Sequence, residues 1–302
     1  MKDWYTEHQS EDEQHRHHIR RTLFEGKTRY QDVWLTESYQ YGKILILDDD
    51  IQSAQRDEPY YHEMLVHPAL IGLPQPPRSV LILGGGEGAT AREAFRYPSV
   101  ERVVMVDLDG ELVQICREHM PEWSQGAFED KRLELHHDDA RAYLERCTEK
   151  FDAVIHDLPQ PLVESPLRLL FTVECFGLVR KAMHPHGIMN MQSCSVKTWG
   201  NALHLLIRKT VEKAFPISHT MHGYIPSFAN DWGFIVASES SDPRRLTPDE
   251  VDARIRDRVK GELTWYCGET HQGLFLLTPD YRKAYAKQTD FLEDGRPLAL
   301  QT

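Results

Sequence analysis

The stretch Leu81-Ile82-Leu83-Gly84-Gly85-Gly86-Glu87-Gly88-Ala89 constrains the fold of this 302-residue chain more than any other. Its apolar run predicts a short buried strand over 79–83, the glycines a tight turn, and the residues after them a helix over 89–96. Glycine lets the backbone turn sharply and lets a ligand come close to the main chain. Asp107 follows at the end of the next predicted strand, 102–106, and lies 21 residues after Gly86. A carboxylate there can accept both hydroxyls of a ribose. Dinucleotides and S-adenosyl compounds share this plan. Gly84, Gly86 and Ala89 fit the dinucleotide pattern GxGxx(G/A) only loosely. Glu87 inside the turn repels a pyrophosphate and favours an amine or sulfonium, so the residues point to an S-adenosyl compound.

The flanking sequence supplies the rest of an α/β fold. Further strands are predicted over 133–136, 151–156, 187–191 and 232–237, with helices over 111–119, 140–147, 176–183 and 203–214. This alternation predicts a Rossmann-like parallel sheet with helices on both faces, and the glycine loop with Glu87 makes the expected sheet an S-adenosyl-binding one. Before it, Tyr30-Gln31-Asp32-Val33-Trp34-Leu35 alternates and Lys43-Ile44-Leu45-Ile46-Leu47-Asp48 is an apolar run ending at a turn. These predict a small N-terminal antiparallel β domain, followed by a helix over 60–71. Pro74-Gln75-Pro76-Pro77 reads as a linker. The expected division is 1–73, the β-rich domain with its helical link, and 74–302, the catalytic domain with a C-terminal extension. Thr247 is the expected N-cap of a helix over 248–261. Residues 1–21 are polar; His15, His17 and His18 admit a metal reading, but a solvated N-terminal helix or a frayed arm is the expectation.

Composition narrows the partners. Hydrophobic residues make up 40% and charged residues 27%, the balance of a soluble globular protein. No apolar run approaches the roughly 18–20 residues that span a bilayer, and Met1 to Arg21 holds no apolar signal core. No membrane association is expected. Cys116, Cys147, Cys175, Cys194 and Cys267 lie far apart with no CxxC pair, which argues for reduced thiols and a cytoplasmic setting. The formal net charge of −12 disfavours nucleic acid and attracts cations; on charge alone, plain solubility explains it equally well.

Acids recur at the strand ends. His136-His137-Asp138-Asp139-Ala140 places Asp139 where it can accept from an adenine amino group or simply cap a helix. Glu87, Asp107 and Asp139 thus end three successive strands, the edge where open α/β sheets bind ligands. Ile155-His156-Asp157-Leu158-Pro159-Gln160-Pro161 adds a fourth acid and a rigid loop over the same edge.

With Tyr30-Gln31-Asp32, Leu47-Asp48, Ile51-Gln52-Ser53, Asp57-Glu58-Pro59-Tyr60-Tyr61-His62-Glu63, Asp107-Leu108-Asp109, Asp157-Leu158, residues 225–233 (IPSFANDWG) and Lys260-Gly261-Glu262-Leu263, these motifs run in order along nearly the whole chain. The ordered set resembles the spermidine synthase family of polyamine aminopropyltransferases, and is most similar to thermospermine synthase and its bacterial relatives. The resemblance implies a transferase that moves an aminopropyl group from decarboxylated S-adenosylmethionine, a co-substrate, to a small-molecule polyamine acceptor and releases methylthioadenosine. It implies no further cofactor, no metal, and a homodimer or homotetramer. It assigns Asp157 as the catalytic aspartate. Gln31, Gln52, His62, Gly84, Gly86, Glu87, Asp107 and Asp139 are assigned to the donor, with Glu87 near the aminopropyl amine, Asp107 on the ribose and Asp139 on the adenine. Tyr61, Gln160, Phe228 and Trp232 are assigned to the acceptor; for Trp232 a plain core role is equally open.

Gln160 stands where the family carries a second aspartate, and Phe228 where it carries tyrosine. A neutral Gln160 is expected to weaken binding of a simple diamine and to favour a different acceptor, which is a longer polyamine such as spermidine, or agmatine, or an unusual amine; the alternative is that its carbonyl accepts a hydrogen bond and little changes, which leaves putrescine open. Glu164 is a candidate to restore the charge. The competing readings are an S-adenosylmethionine-dependent methyltransferase, whose donor carboxylate Glu87 and Asp157 would repel, and a catalytically inactive nucleoside-binding relative.

Overall fold

The computed structural model describes residues 3–9, 11–161 and 166–297; Glu164 lies outside the described residues. Strands β1 (Trp4–His8), β2 (Gln14–Lys27), β3 (Asp32–Ser38), β4 (Gly42–Leu47) and β5 (Asp50–Ala54) form an antiparallel sheet in sequence order. Helix α1 (Glu58–Gly72) leads out of it. The second sheet takes β6 (Ser79–Gly84), β7 (Arg102–Asp107), β8 (Leu133–His137), β9 (Phe151–Asp157), β10 (Met183–Ser195), β11 (Ile217–Ile225) and β12 (Asn230–Ser238). Their order is β11-β12-β10-β9-β6-β7-β8. Helices α2 (Ala89–Phe95), α3 (Gly110–His119), α4 (Pro121–Ser124), α5 (Ala140–Arg146), α6 (Val173–Lys181) and α7 (Ala202–Ala214) fill the connections. Helices α8 (Pro248–Arg258), α9 (Gly268–Leu274) and α10 (Pro279–Lys287) follow.

Two departures from the sequence reading have clear causes. Residues 4–8 and 14–27 are a hairpin, not a helix or a frayed arm. Their polar residues hide the period-2 pattern, yet Tyr5, Glu7, His17 and Ile19 are buried. Glu7 accepts from the Ile51 amide at 3.0 Å, and the His17 ring packs against Tyr41 at 5.8 Å. Consecutive strand residues face opposite sides, so His17 and His18 diverge; among the described residues no group of three His, Cys, Asp or Glu could hold a metal ion. The second departure is that the large sheet is parallel only from β10 to β8. β12 pairs antiparallel with β10, and β11 antiparallel with β12. The sequence pattern does not predict β11, because Ile217–Ile225 carries Ser, Thr and His among its apolar residues.

Side chains alternate across the large sheet as the pleat requires. Val80, Ile82, Val103, Met105 and Ile155 face α1 and α2, together with Ile44, Ile46 and Ile51 of the first sheet. Leu81, Leu83, Val104, Val106 and Val154 face the other way, toward α5, α6 and α7. The first sheet is buried on its second face too: Val33, Leu35, Leu45 and Leu47 pack with Leu112, Cys116, Met120 and Trp123 of the α3–α4 region. Thr247 caps α8 in a reciprocal capping box with Glu250, and all five cysteines are free. Among the described residues no helix is long and apolar enough to cross a membrane.

Gly84 decides how β6 meets its neighbour. Its φ is +85°, and a β-carbon there would overlap the Asp157 carbonyl and come within 2.9 Å of the Leu158 side chain. Gly126 has a similar φ of +88°, but a β-carbon there meets nothing within 4 Å. Gly84→Ala is therefore expected to lose about 4 kcal/mol or more, and Gly126→Ala about 1–2 kcal/mol, as read by urea unfolding. Equal losses would show that the β6–β9 contact yields easily.

Candidate active site

The order in which strands are added to the large sheet reverses at β6: β7 is added on one side of it and β9 on the other. Ligands of open α/β sheets bind at the carboxyl ends of strands at such a switch point. Gly84 and Asp157 end these two strands and are register partners. The Gly85 amide donates to the Asp157 carbonyl at 3.1 Å, and the Gly88 amide to the Gly85 carbonyl at 2.8 Å. The glycine loop is thus pinned to the residue it flanks.

The Asp157 carboxylate is held from two sides. Tyr61 Oη of α1 donates to Oδ1 at 3.0 Å, and Thr90 Oγ1 of α2 donates to Oδ2 at 2.6 Å. Burial pushes the Asp157 carboxyl above the ordinary carboxylate range and Glu87 adds to this, while His62 and the two hydroxyl donors pull it back. Burial also pushes the Tyr61 phenol far up, so Tyr61 stays a hydrogen-bond donor. A carboxylate held in this way, yet partly open to solvent, can accept a proton from a ligand.

Around it stand most of the other predicted residues. His62 lies between Glu58 and Glu87: Nδ1 is 2.8 Å from Glu58 Oε2, and Nε2 is 3.4 Å from Glu87 Oε1. The Tyr61 ring meets Phe228 edge-on at 6.3 Å, and Phe228 meets Trp232 at 5.0 Å. Trp232 is half-buried, and its Nε1–H has no hydrogen-bond partner among the described residues. Gly86 approaches Asp107 so closely that a β-carbon would come to 3.0 Å from Oδ2. Burial raises Asp107 to about 6, and the nearby charges of Asp109, Asp157 and Glu87 push the same way against the Asp109 amide.

Gln31 reaches the cluster through a residue that the sequence reading gave no role. Asp109 donates its amide to Asp107 Oδ1 at 2.9 Å. Its buried carboxylate accepts from Gln31 Nε2 at 2.8 Å, from Thr28 Oγ1 at 2.5 Å, and from the Leu112 amide at the start of α3 at 3.0 Å. The first sheet is thereby tied to the Asp107 loop. Three predicted residues stand apart among the described contacts. Asp139 caps α5 by accepting from the Ala142 amide at 2.8 Å, Gln52 reaches only the Asp50 carbonyl at 3.5 Å, and Gln160 is partly exposed on its loop. None of the three hydrogen-bonds to the Asp157 group.

Other contributors also escaped the sequence reading. Thr90 sits in the first turn of α2, one residue past the glycine motif. Gln192 of β10 donates to the Leu158 carbonyl and accepts from the Cys194 amide, fastening the Asp157–Pro161 loop to the sheet. Glu58 lies before the helix predicted over 60–71, whereas α1 begins at Glu58, so its i, i+4 contact with His62 was not read from the sequence either. The lone histidines outside the site have structural partners: His222 with Asp231, and His271 between Tyr266 and the Pro243 carbonyl. Two surface clefts, one lined by Lys150, Arg180 and His184 and one by Gln75, His186 and Arg254, contain no residue of the cluster. Convergence of titratable groups at the switch point outweighs cleft shape in locating the site.

The raised Asp107 has a stability consequence. Because its pKa is higher folded than unfolded, the folded state loses stability as pH rises toward and past about 6. Asp107→Asn removes that charge but keeps an acceptor for the Asp109 amide. The empty protein is expected to gain ~1–2 kcal/mol at pH 8, after allowing for water at the open site, and little at pH 4. Binding of methylthioadenosine should weaken at the same time. Thermal unfolding at the two pH values with calorimetric titration checks both signs; unchanged binding would remove Asp107 from the site.

Comparison with known proteins agrees with this geometry. Residues 58–246 match the spermine/spermidine synthase domain, and residues 3–55 the spermidine synthase tetramerisation domain, which supports an oligomer. The chain is 41% identical to polyamine aminopropyltransferase 2 of Hyperthermus butylicus, over 93% of this chain and 91% of that one. It is 39% identical to the polyamine aminopropyltransferase of Saccharolobus solfataricus, over 98% and 97%. Among solved structures it is similar to a spermidine synthase in complex with the transition-state analogue AdoDATO, with TM-score 0.86, 26% identity and coverage of 94% and 95%. It is similar also to the spermidine synthase of Thermotoga maritima, with TM-score 0.85, 26% identity and 94% of each chain covered. The chain belongs to the spermidine synthase family and is a polyamine aminopropyltransferase.

Proposed function

We propose that the protein transfers the aminopropyl group of decarboxylated S-adenosylmethionine to spermidine, giving a longer thermospermine- or spermine-like tetraamine and methylthioadenosine. The observation that carries the reading is the Asp157 carboxylate, fixed by Tyr61 and Thr90 at the switch point beside an aromatic wall. An acceptor nitrogen attacks the methylene carbon next to the sulfonium, and the carbon–sulfur bond breaks with its electrons passing to sulfur. Methylthioadenosine leaves as a neutral thioether, so no covalent enzyme intermediate is needed. Most of the catalysis then lies in holding the nitrogen in line with that carbon. Before attack the acceptor's ammonium gives a proton to Asp157, which frees the nitrogen lone pair, and the product nitrogen stays protonated as a secondary ammonium. Amines with pKa near roughly 10 reach the site mostly protonated, and a carboxylate with a raised pKa is a better acceptor than an ordinary one.

The remaining roles follow from position and charge. Glu87 offers its carboxylate to the donor's ammonium, and Asp107, kept in register by Asp109, accepts the ribose hydroxyls. Gln31 and the first sheet hold that loop; Asp139 and Gln52 complete the nucleoside pocket on the family resemblance alone. At the acceptor end Gln160 supplies no charge, while Phe228 and Trp232 offer a surface along which methylenes and an ammonium can lie. This favours a long amine over a short diamine that needs a second carboxylate. The match of residues 3–55 to a tetramerisation domain supports a homotetramer rather than a homodimer.

Mass spectrometry of reactions with decarboxylated S-adenosylmethionine and an amine panel tests the reading. Spermidine is expected to exceed putrescine and agmatine in kcat/KM, and Gln160→Asp to move preference toward putrescine. Asp157→Asn should lower kcat by about 10²–10⁴-fold while donor binding persists. Putrescine as the best substrate of both the wild type and the Gln160→Asp variant would overturn the acceptor assignment.

A further inference from the structure

Behind His62 lies a charged group that the transfer reaction does not touch. Arg92 of α2 grips Glu58 through both carboxylate oxygens, each at 2.9 Å. Arg92 is anchored in turn by Glu93 at 2.8 Å and by the Trp123 carbonyl at 2.7 Å. Glu58 therefore cannot turn away from His62. His62 Nδ1 lies 2.7 Å from the Glu58 carbonyl and 2.8 Å from its carboxylate. Both are acceptors, so Nδ1 carries a proton. The other ring nitrogen, Nε2, is buried without a hydrogen-bond partner among the described residues and faces Glu87 at 3.4 Å. A lone pair aimed at a carboxylate in a buried site is repulsive, whereas an N–H is attractive. The placement of the ring between two carboxylates therefore favours the cation.

We propose that Glu58 and Arg92 are positioning residues for the transfer: they lock His62 as an imidazolium beside Glu87 and Asp157, and that fixed cation keeps Asp157 ionised and ready to accept the amine's proton. The groups facing His62 are Glu58 and Tyr61 from α1, Glu87 from the glycine loop and Asp157 from β9, with Arg92 of α2 behind Glu58. Burial alone would pull the His62 pKa down; Glu58 and Glu87 outweigh it and bring it to about 10. The same cation opposes the effect of burial on Asp157. The site therefore contains its own counter-charge before any cationic substrate arrives. The proposal rests on Asp157 being the proton acceptor.

The sign of the effect is fixed. Without Glu58 the imidazolium loses its stabilising partner and deprotonates, Asp157 loses a neighbouring cation, and its pKa rises further. In Glu58→Gln the acid limb of kcat/KM is expected to move upward by about one pH unit, a roughly tenfold loss below the limb with little change on the plateau. Arg92→Lys, which keeps the charge but loses the two-pronged grip, should move it the same way by less. In a His62→Gln background Glu58→Gln should add no further shift. Loss of activity at every pH with an unmoved limb would mean that the pair is merely structural, and would overturn the proposal. Nitrogen NMR of the histidine-labelled wild type at pH 8, with His62 assigned by its loss in His62→Gln, needs no altered Glu58. Two protonated ring nitrogens are expected; a neutral ring overturns the proposal by itself. A wild-type profile with no acid limb beside a charged His62 would instead refute Asp157 as the base.

Discussion

The site depends on one close approach, that of β6 to the end of β9. No side chain fits between Gly84 and the Asp157 carbonyl, and the Gly85 amide bonds to that same oxygen. This contact places Asp157 beside the glycine loop instead of above it. Thr90, in the first turn after the loop, then falls within reach of one carboxylate oxygen, and α1 brings Tyr61 to the other. Glu87, on the loop itself, is delivered to the same spot. A single tight strand pair thus fixes the Asp157 carboxylate, its two hydroxyl donors and a second acid.

That concentration of acid is costly, and the fold handles each carboxylate differently. Asp157 receives two O–H donors and a neighbouring cation. Glu58 is bound by Arg92 and His62, which overcome its burial and hold it below the ordinary carboxylate range. Asp107 receives one backbone amide and is left raised to about 6. A protein selected for stability alone would not leave such a group uncompensated; the ribose-binding task proposed for Asp107 gives a reason to. The arrangement also couples the two sheets. Asp109 joins the Asp107 loop to Thr28 and Gln31, so the segment matching a tetramerisation domain touches the Asp107 end of the cluster.

The fold was legible where the chain obeys one period. The strand–glycine–helix unit, the later strand and helix alternation and the Thr247 cap all show a clear pattern, because their side chains are buried on defined faces. Legibility failed where polar residues occupy strands. Gln14–Lys27 pairs along its length with β1 and β3 yet presents His and Arg on both faces, and Ile217–Ile225 is held by β12 although Ser, Thr and His interrupt it. Of the site, the sequence exposed the acids at strand ends and the family motifs. It could not expose Thr90, Asp109, Arg92 or Gln192 as partners. Asp109 bonds to residues 78 and 81 positions away in the chain, and no local pattern reports such a contact. Asp139 follows β8 as the cap of α5 and Gln52 lies in the middle of β5, and neither joins the hydrogen-bonded cluster.

On the proposed function, Glu87 and Asp157 meet the end of the chain attached to sulfur, and the pocket selects a donor with a cationic tail. Calorimetric titration of decarboxylated and intact S-adenosylmethionine against the same preparation tests it most directly, since the two differ only in the carboxylate. The account predicts that the decarboxylated form binds at least about a hundredfold more tightly, the scale expected when a buried carboxylate is brought against like charge. Equal or tighter binding of the intact form would contradict it and would assign the acids to some task other than selecting the donor.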